Sequence, residues 1–106
     1  DIGLHFPDTS DDFKGIDSKI LLGKVCELLT EEGYKLVNID ATVSLEQPKL
    51  KPHISTMQQV LSSLLGLKPG DVSIKATTTE KLGFVGREEG IAAQAVVLIA
   101  STDVTM

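Results

Sequence analysis

The stretch "LVNIDATVSL", residues 36–45, alternates apolar and polar side chains: Val37, Ile39, Ala41, Val43 and Leu45 fall on one side, and Asn38, Asp40, Thr42 and Ser44 on the other. Side chains of an extended strand point to its two faces in turn, so the pattern predicts a strand with one face on a core and the other polar. The cover for that core face is written on either side of it. Upstream, Ile20, Leu21, Leu22, Val25, Leu28 and Leu29 recur at helical spacing between Ser18 and Glu32, with Asp17 or Ser18 as N-cap and Gly33 just past the end. Downstream, a second helix follows Pro52, carries Ile54, Met57, Val60, Leu61, Leu64 and Leu65 on its inner face, and stops at Gly66. Pro69-Gly70-Asp71 then turns the chain into a short strand over Val72–Ala76. Ile91–Ala100 is so uniformly apolar and β-branched that it predicts a strand covered on both faces. The order helix, strand, helix, strand, strand implies an α/β (α+β) fold: a mixed sheet with both helices on one face, and residues 1–106 as a single domain.

With 106 residues, the chain can bury a real but modest core, to which oligomerisation would add much. A formal charge of −5 argues against a broad electrostatic footprint for nucleic acid. A small anionic ligand stays open, because a few placed amides and one cation suffice to hold it. Cys26 has no second cysteine to pair with and falls in the first helical pattern, where it reads as an ordinary core residue. No apolar run is long enough to cross a bilayer and no signal peptide is evident, so the expected setting is a reducing, soluble compartment with no membrane association. That means bacterial cytoplasm, or a plastid if a transit peptide precedes Asp1.

Three loops carry candidate chemistry. In "DIGLHFPDTSDDFKG", residues 1–15, acids and a proline can make caps and turns, or Asp8, Thr9 and Ser10 can contact hydroxyls and phosphate. His5 is a metal ligand by type, but no second ligand stands at a convincing spacing, so local packing or hydrogen bonding is the simpler reading. In "LEQPKLKPH", residues 45–53, Lys49 and Lys51 are either merely solvated or part of a proline-stiffened loop whose backbone reads a planar base. In "KATTTEKLGFVGREEG", residues 75–90, Thr77, Thr78 and Thr79 end a strand and open a short helical turn. This is either a plain N-cap or a set of donors for an anion. Glu80 suits phosphate only with a divalent cation between them. Arg87 is either a surface partner of Glu88 or Glu89, or an anion clamp.

Taken together, "DIG" with "FPDT" and "FKGIDS", then "NIDAT" leading into "QPKLKPH", then "KATTTEKLGFVGREEGIAAQAV" resemble the 2-C-methyl-D-erythritol 2,4-cyclodiphosphate synthases of non-mevalonate isoprenoid biosynthesis, in order and over nearly the whole chain. The resemblance implies a lyase that cyclises 4-diphosphocytidyl-2-C-methyl-D-erythritol 2-phosphate and releases CMP. It also implies a homotrimer with active sites between subunits. Asp1, Ile2 and Gly3 would hold the methylerythritol portion, and Phe6, Pro7, Asp8, Thr9 and Ser10 would form a loop near the 2-phosphate. Leu45, Glu46, Gln47, Pro48, Lys49, Leu50 and Lys51, with Ala76, Thr77 and Thr78, would line the cytidine pocket. Thr78 would be the catalytic contact at the diphosphate, flanked by Thr79, with Glu80 binding magnesium or manganese. Phe84 and Arg87 would lie near the trimer axis, where the family can hold an isoprenoid phosphate.

Two departures qualify the match. Ser10 stands where the family commonly has aspartate. The family's zinc ligands, an Asp-x-His pair and a further histidine, belong to a segment that would precede Asp1, so the chain reads as the C-terminal two-thirds of such an enzyme, inactive alone. The alternatives are a non-catalytic trimeric α/β module that binds a nucleotide or isoprenoid phosphate, and the tail of a bifunctional chain.

Overall fold

The computed structural model describes residues 2–7 and 15–102. A four-residue helix α1 (Ile2–His5) precedes α2 (Ser18–Glu31), β1 (Tyr34–Ser44), α3 (Ile54–Leu65), β2 (Val72–Thr77), a second four-residue helix α4 (Gly83–Gly86) and β3 (Ala92–Ser101). Single 3-10 turns at Lys51–His53 and Pro69–Asp71 lead into α3 and β2. The sheet order is β2-β1-β3, with β1 parallel to β2 and antiparallel to β3. α2 touches β1 and α3, and α3 touches β2, so both helices lie on one face of this mixed sheet, as the element order implies.

Local chemistry accounts for the boundaries. The Asp17 carboxylate accepts the Lys19 amide at 2.8 Å, the N-cap contact that starts α2. That backbone bond, with the Lys19 side chain beside it, holds the Asp17 carboxyl below its ordinary pKa. α3 ends at Gly66, whose φ of 69° lies in the left-handed region that glycine enters without a Cβ penalty. Cross-strand partners share a face, and the register therefore fixes what each face carries. Ile39, Ala41 and Val43 of β1 align with Val72, Ile74 and Ala76 of β2 and with Val97, Ala95 and Ala93 of β3. Val72 and Ile74 are buried, so this is the helix-covered face. Asn38, Asp40 and Thr42 share the open face with Ser73 and Lys75, and Lys75 pairs with Asp40 there. The register slips between Leu36 and Asn38, which leaves Val37 as an extra residue in β1.

Three expectations are corrected. β3 is an edge strand and is not covered on both faces: Val96 is 74% exposed and Leu98 55%, because both helices sit over β1 and β2. α3 is rotated from its predicted inner face, so that Val60 and Leu64 are partly exposed while Ser62 is buried, its hydroxyl donating to the Gln59 carbonyl at 3.2 Å. Cys26 is only half-buried, and that partial burial raises its thiol pKa above the ordinary value. Among the described residues, no helix is long and apolar enough to cross a membrane.

Candidate functional site

Where β1 ends, the chain continues the ladder by one bond, the Leu45 amide donating to the Thr77 carbonyl at 2.9 Å. That bond sets the loop after β1 beside the end of β2. Between them lies a cavity of about 250 Å³, lined by Leu45, Glu46, Pro48, Lys49, Leu50 and Lys51 on one side and by Ala76, Thr77 and Thr78 on the other. Its wall combines apolar surface for a ring, two lysines, and hydroxyls at the strand end, a mixture suited to a small ligand with one planar and one anionic part. Gln47, joined to Pro48 by a cis peptide bond, is exposed and does not line it.

The turn that follows differs from the short helix expected at Thr79. Glu80 and Lys81 adopt positive φ values of 54° and 65°, and the helix α4 begins only at Gly83. Two consecutive left-handed residues that are not glycine cost roughly 1–3 kcal/mol each. Glu46 supplies the compensation: its Oε1 accepts the Thr79 amide at 3.2 Å and the Lys81 amide at 3.1 Å, with the Thr79 hydroxyl oxygen 3.3 Å away. Hydrogen bonds to a carboxylate oxygen offset part of that cost. The Thr79 hydroxyl also lies 2.7 Å from the Leu82 carbonyl, and the Glu80 amide donates to Thr78 Oγ1 at 3.3 Å. Thr78 thus lines the cavity where β2 ends, and Glu80 follows it on a turn fastened from the opposite wall.

The other expected contacts lie elsewhere. Arg87 pairs with Glu89, its Nε donating to Oε1 at 2.9 Å, which is the surface-pair alternative of the sequence. Phe84 is largely exposed on α4 and its ring packs against Gly90. Gly3 lies in α1, and Phe6 borders with His5 a separate recess on α2 beside Lys24, Glu27 and Glu31; Pro7 follows it. Asp1, Asp8, Thr9, Ser10 and the side chain of Ile2 lie outside the described residues. Among the described residues, no three His, Cys, Asp or Glu side chains form a metal cage, so they do not fit zinc. Glu80 offers a single carboxylate, which fits magnesium or manganese only if phosphate and water oxygens complete the shell. The Glu46 clamp and the close approach of Gly86 to Lys81 escaped the sequence reading; each joins residues far apart in sequence or on opposite sides of a turn.

Comparison with known proteins adds a second line of observation. A family model described as the YgbB family matches residues 1–100. A 2-C-methyl-D-erythritol 2,4-cyclodiphosphate synthase of Bacteroides fragilis is 63% identical over 99 residues, covering 93% of this chain and 62% of the relative. A synthase of the same name from Porphyromonas gingivalis is 61% identical, with 93% of this chain and 61% of the relative covered. The chain therefore spans a little over three-fifths of the length of these curated relatives. Among solved structures, the bifunctional IspDF from Campylobacter jejuni superposes with a TM-score of 0.91 at 42% identity, covering 97% of this chain and 28% of that one. An IspF from Plasmodium falciparum in complex with CDP superposes with a TM-score of 0.81 at 27% identity, covering 97% and 61%.

Proposed function

This chain belongs to the YgbB family, and from that membership we propose that it supplies the cytidine-nucleotide and diphosphate contacts of a 2-C-methyl-D-erythritol 2,4-cyclodiphosphate synthase. The observation that carries the reading is the cavity between Leu45–Lys51 and Ala76–Thr78, formed by the two segments whose motifs resemble those of the synthases. The substrate is 4-diphosphocytidyl-2-C-methyl-D-erythritol 2-phosphate. An oxygen of its 2-phosphate forms a bond to the β-phosphorus, the bond from that phosphorus to the CMP phosphate oxygen breaks, and CMP leaves. The attacking group belongs to the substrate, so the protein's task is to position the phosphates and stabilise their charge.

The roles follow from position. The apolar wall of Leu45, Pro48 and Leu50 takes the base, and Lys49 and Lys51 offset phosphate charge. Thr78 contacts the diphosphate as charge shifts during transfer. Glu80 is the residue that would hold magnesium or manganese, which when bound neutralises phosphate charge. Gly3, Phe6 and Pro7, with Asp1, Ile2, Asp8, Thr9 and Ser10, are assigned to the methylerythritol phosphate end, and Phe84 and Arg87 to an isoprenoid phosphate on the axis of a homotrimer. Residues 1–106 form one domain in this reading, the C-terminal part of a cytoplasmic lyase.

The test is titration of the chain with CDP, followed by amide NMR. Shifts are expected at Leu45, Glu46, Leu50, Lys51 and Ala76–Thr78. Shifts confined to α2 and α3, or none at millimolar CDP, would overturn the reading.

A further inference from the structure

Glu46 occupies two positions in one structure. It lines the cavity from the loop after β1, and its Oε1 holds the Thr79 and Lys81 amides of the facing turn. Glu80, between those two amides, has its own amide on Thr78 Oγ1. The geometry points to Glu46 as a positioning residue: its carboxylate ties the base-binding wall to the turn that carries Thr78 and Glu80, so that filling the cavity and placing the diphosphate groups are coupled. This rests on the reading of the cavity as a cytidine-nucleotide site and adds to it a residue that acts through the turn. The backbone geometry of the turn depends on the clamp, because Glu80 and Lys81 hold left-handed conformations that free side-chain-bearing residues seldom keep. The clamp also explains why a carboxylate is tolerated in the wall of a site for an anion. The oxygen seen in these bonds faces backbone donors and the Thr79 hydroxyl.

CMP and CDP are the probes, since they share the nucleoside and first phosphate and only CDP carries the second. The wild-type chain should bind CDP more tightly than CMP, with slow exchange of the Thr79 and Lys81 amide protons. In Glu46→Ala, those two amides should exchange at least about tenfold faster and most of the preference for CDP should vanish, since a bond to a charged acceptor is worth about that factor or more. Glu46→Gln keeps a neutral acceptor oxygen at the same reach and should restore part of the slow exchange and part of the CDP preference. If the alanine variant does not fold, Glu46→Asp, one methylene short but still charged, replaces it with the same expectation. Unaltered exchange at Thr79 and Lys81 in a folded alanine or aspartate variant overturns the inference. So does a glutamine variant that restores slow exchange but none of the preference, which would mean that the charge itself meets the ligand. Absence of binding by the wild-type chain overturns the nucleotide reading, whereas a CDP preference that survives in the alanine or aspartate variant overturns only the role of Glu46.

Discussion

Replacing Gly86 with alanine is expected to dismantle the turn between Thr79 and Leu82. A Cβ at this position would lie 2.1 Å from the Lys81 carbonyl carbon, 2.6 Å from its Cα and 2.7 Å from its oxygen. These are backbone atoms and cannot rotate aside as a side chain tip would. Overpacking commonly costs about 1–3 kcal/mol, and a clash this close with main chain belongs at or above the upper end. Relief requires Lys81 to move, which breaks its amide bond to Glu46 and the bond of the Gly86 amide to the Leu82 carbonyl at 3.1 Å. Urea unfolding should therefore show a loss of about 3 kcal/mol or more, with CDP affinity falling in whatever fraction stays folded. Gly83→Ala is the control. Gly83 has nothing within 4 Å of an added Cβ but a φ of +70°. Its substitution should cost only the left-handed penalty, about 1–2 kcal/mol.

The second large effect concerns assembly. Val96 and Leu98 project from β3 on the open face of the sheet, beside Asp40 and Asn38, their partners in register. On a free chain, Leu98→Asp should alter stability by about 0.5 kcal/mol, as for most exposed substitutions, and Val96→Asp by up to about 1 kcal/mol more, because it faces Asp40 across the ladder. Should the proposed homotrimer bury this face, the same carboxylates would be removed from water without a partner, a cost that several chains share at once. Val96→Asp with Leu98→Asp is therefore expected to convert a trimer into monomers in sedimentation velocity while the monomer fold persists by circular dichroism. A chain that is already monomeric before substitution, or a trimer that survives it, would count against the assembly.

How much of this was legible in the sequence depended on how local each cause is. The alternation of residues 36–45 identified β1 and its two faces, because strand side chains report their face directly. Gly66 marked the end of α3 because a left-handed residue is needed there. The exposure of β3 was hidden, since an apolar β-branched run specifies that it should be covered without specifying by what. The rotation of α3 was also missed. Val60 and Leu64 are apolar like their neighbours, and only the position of α2 and the sheet decides which side faces inward. At the site, the two loops announced themselves through motifs, and the cavity lies between them. The clamp stayed invisible because Glu46 and the amides it holds are more than thirty residues apart. Arg87 had two readings from sequence, and its bond to Glu89 is the one that the fold forms.

The proposed role of this chain, the nucleotide and diphosphate half of a cyclodiphosphate synthase, is read out by turnover. The measurement is CMP release from 4-diphosphocytidyl-2-C-methyl-D-erythritol 2-phosphate by the Bacteroides fragilis relative in which this chain replaces the matched segment. The graft is expected to release CMP, and Thr78→Ala within it to lower the rate by roughly a hundredfold, the loss typical of one transition-state contact. A folded graft that binds CDP yet releases no CMP, or one whose rate is indifferent to Thr78, would contradict it.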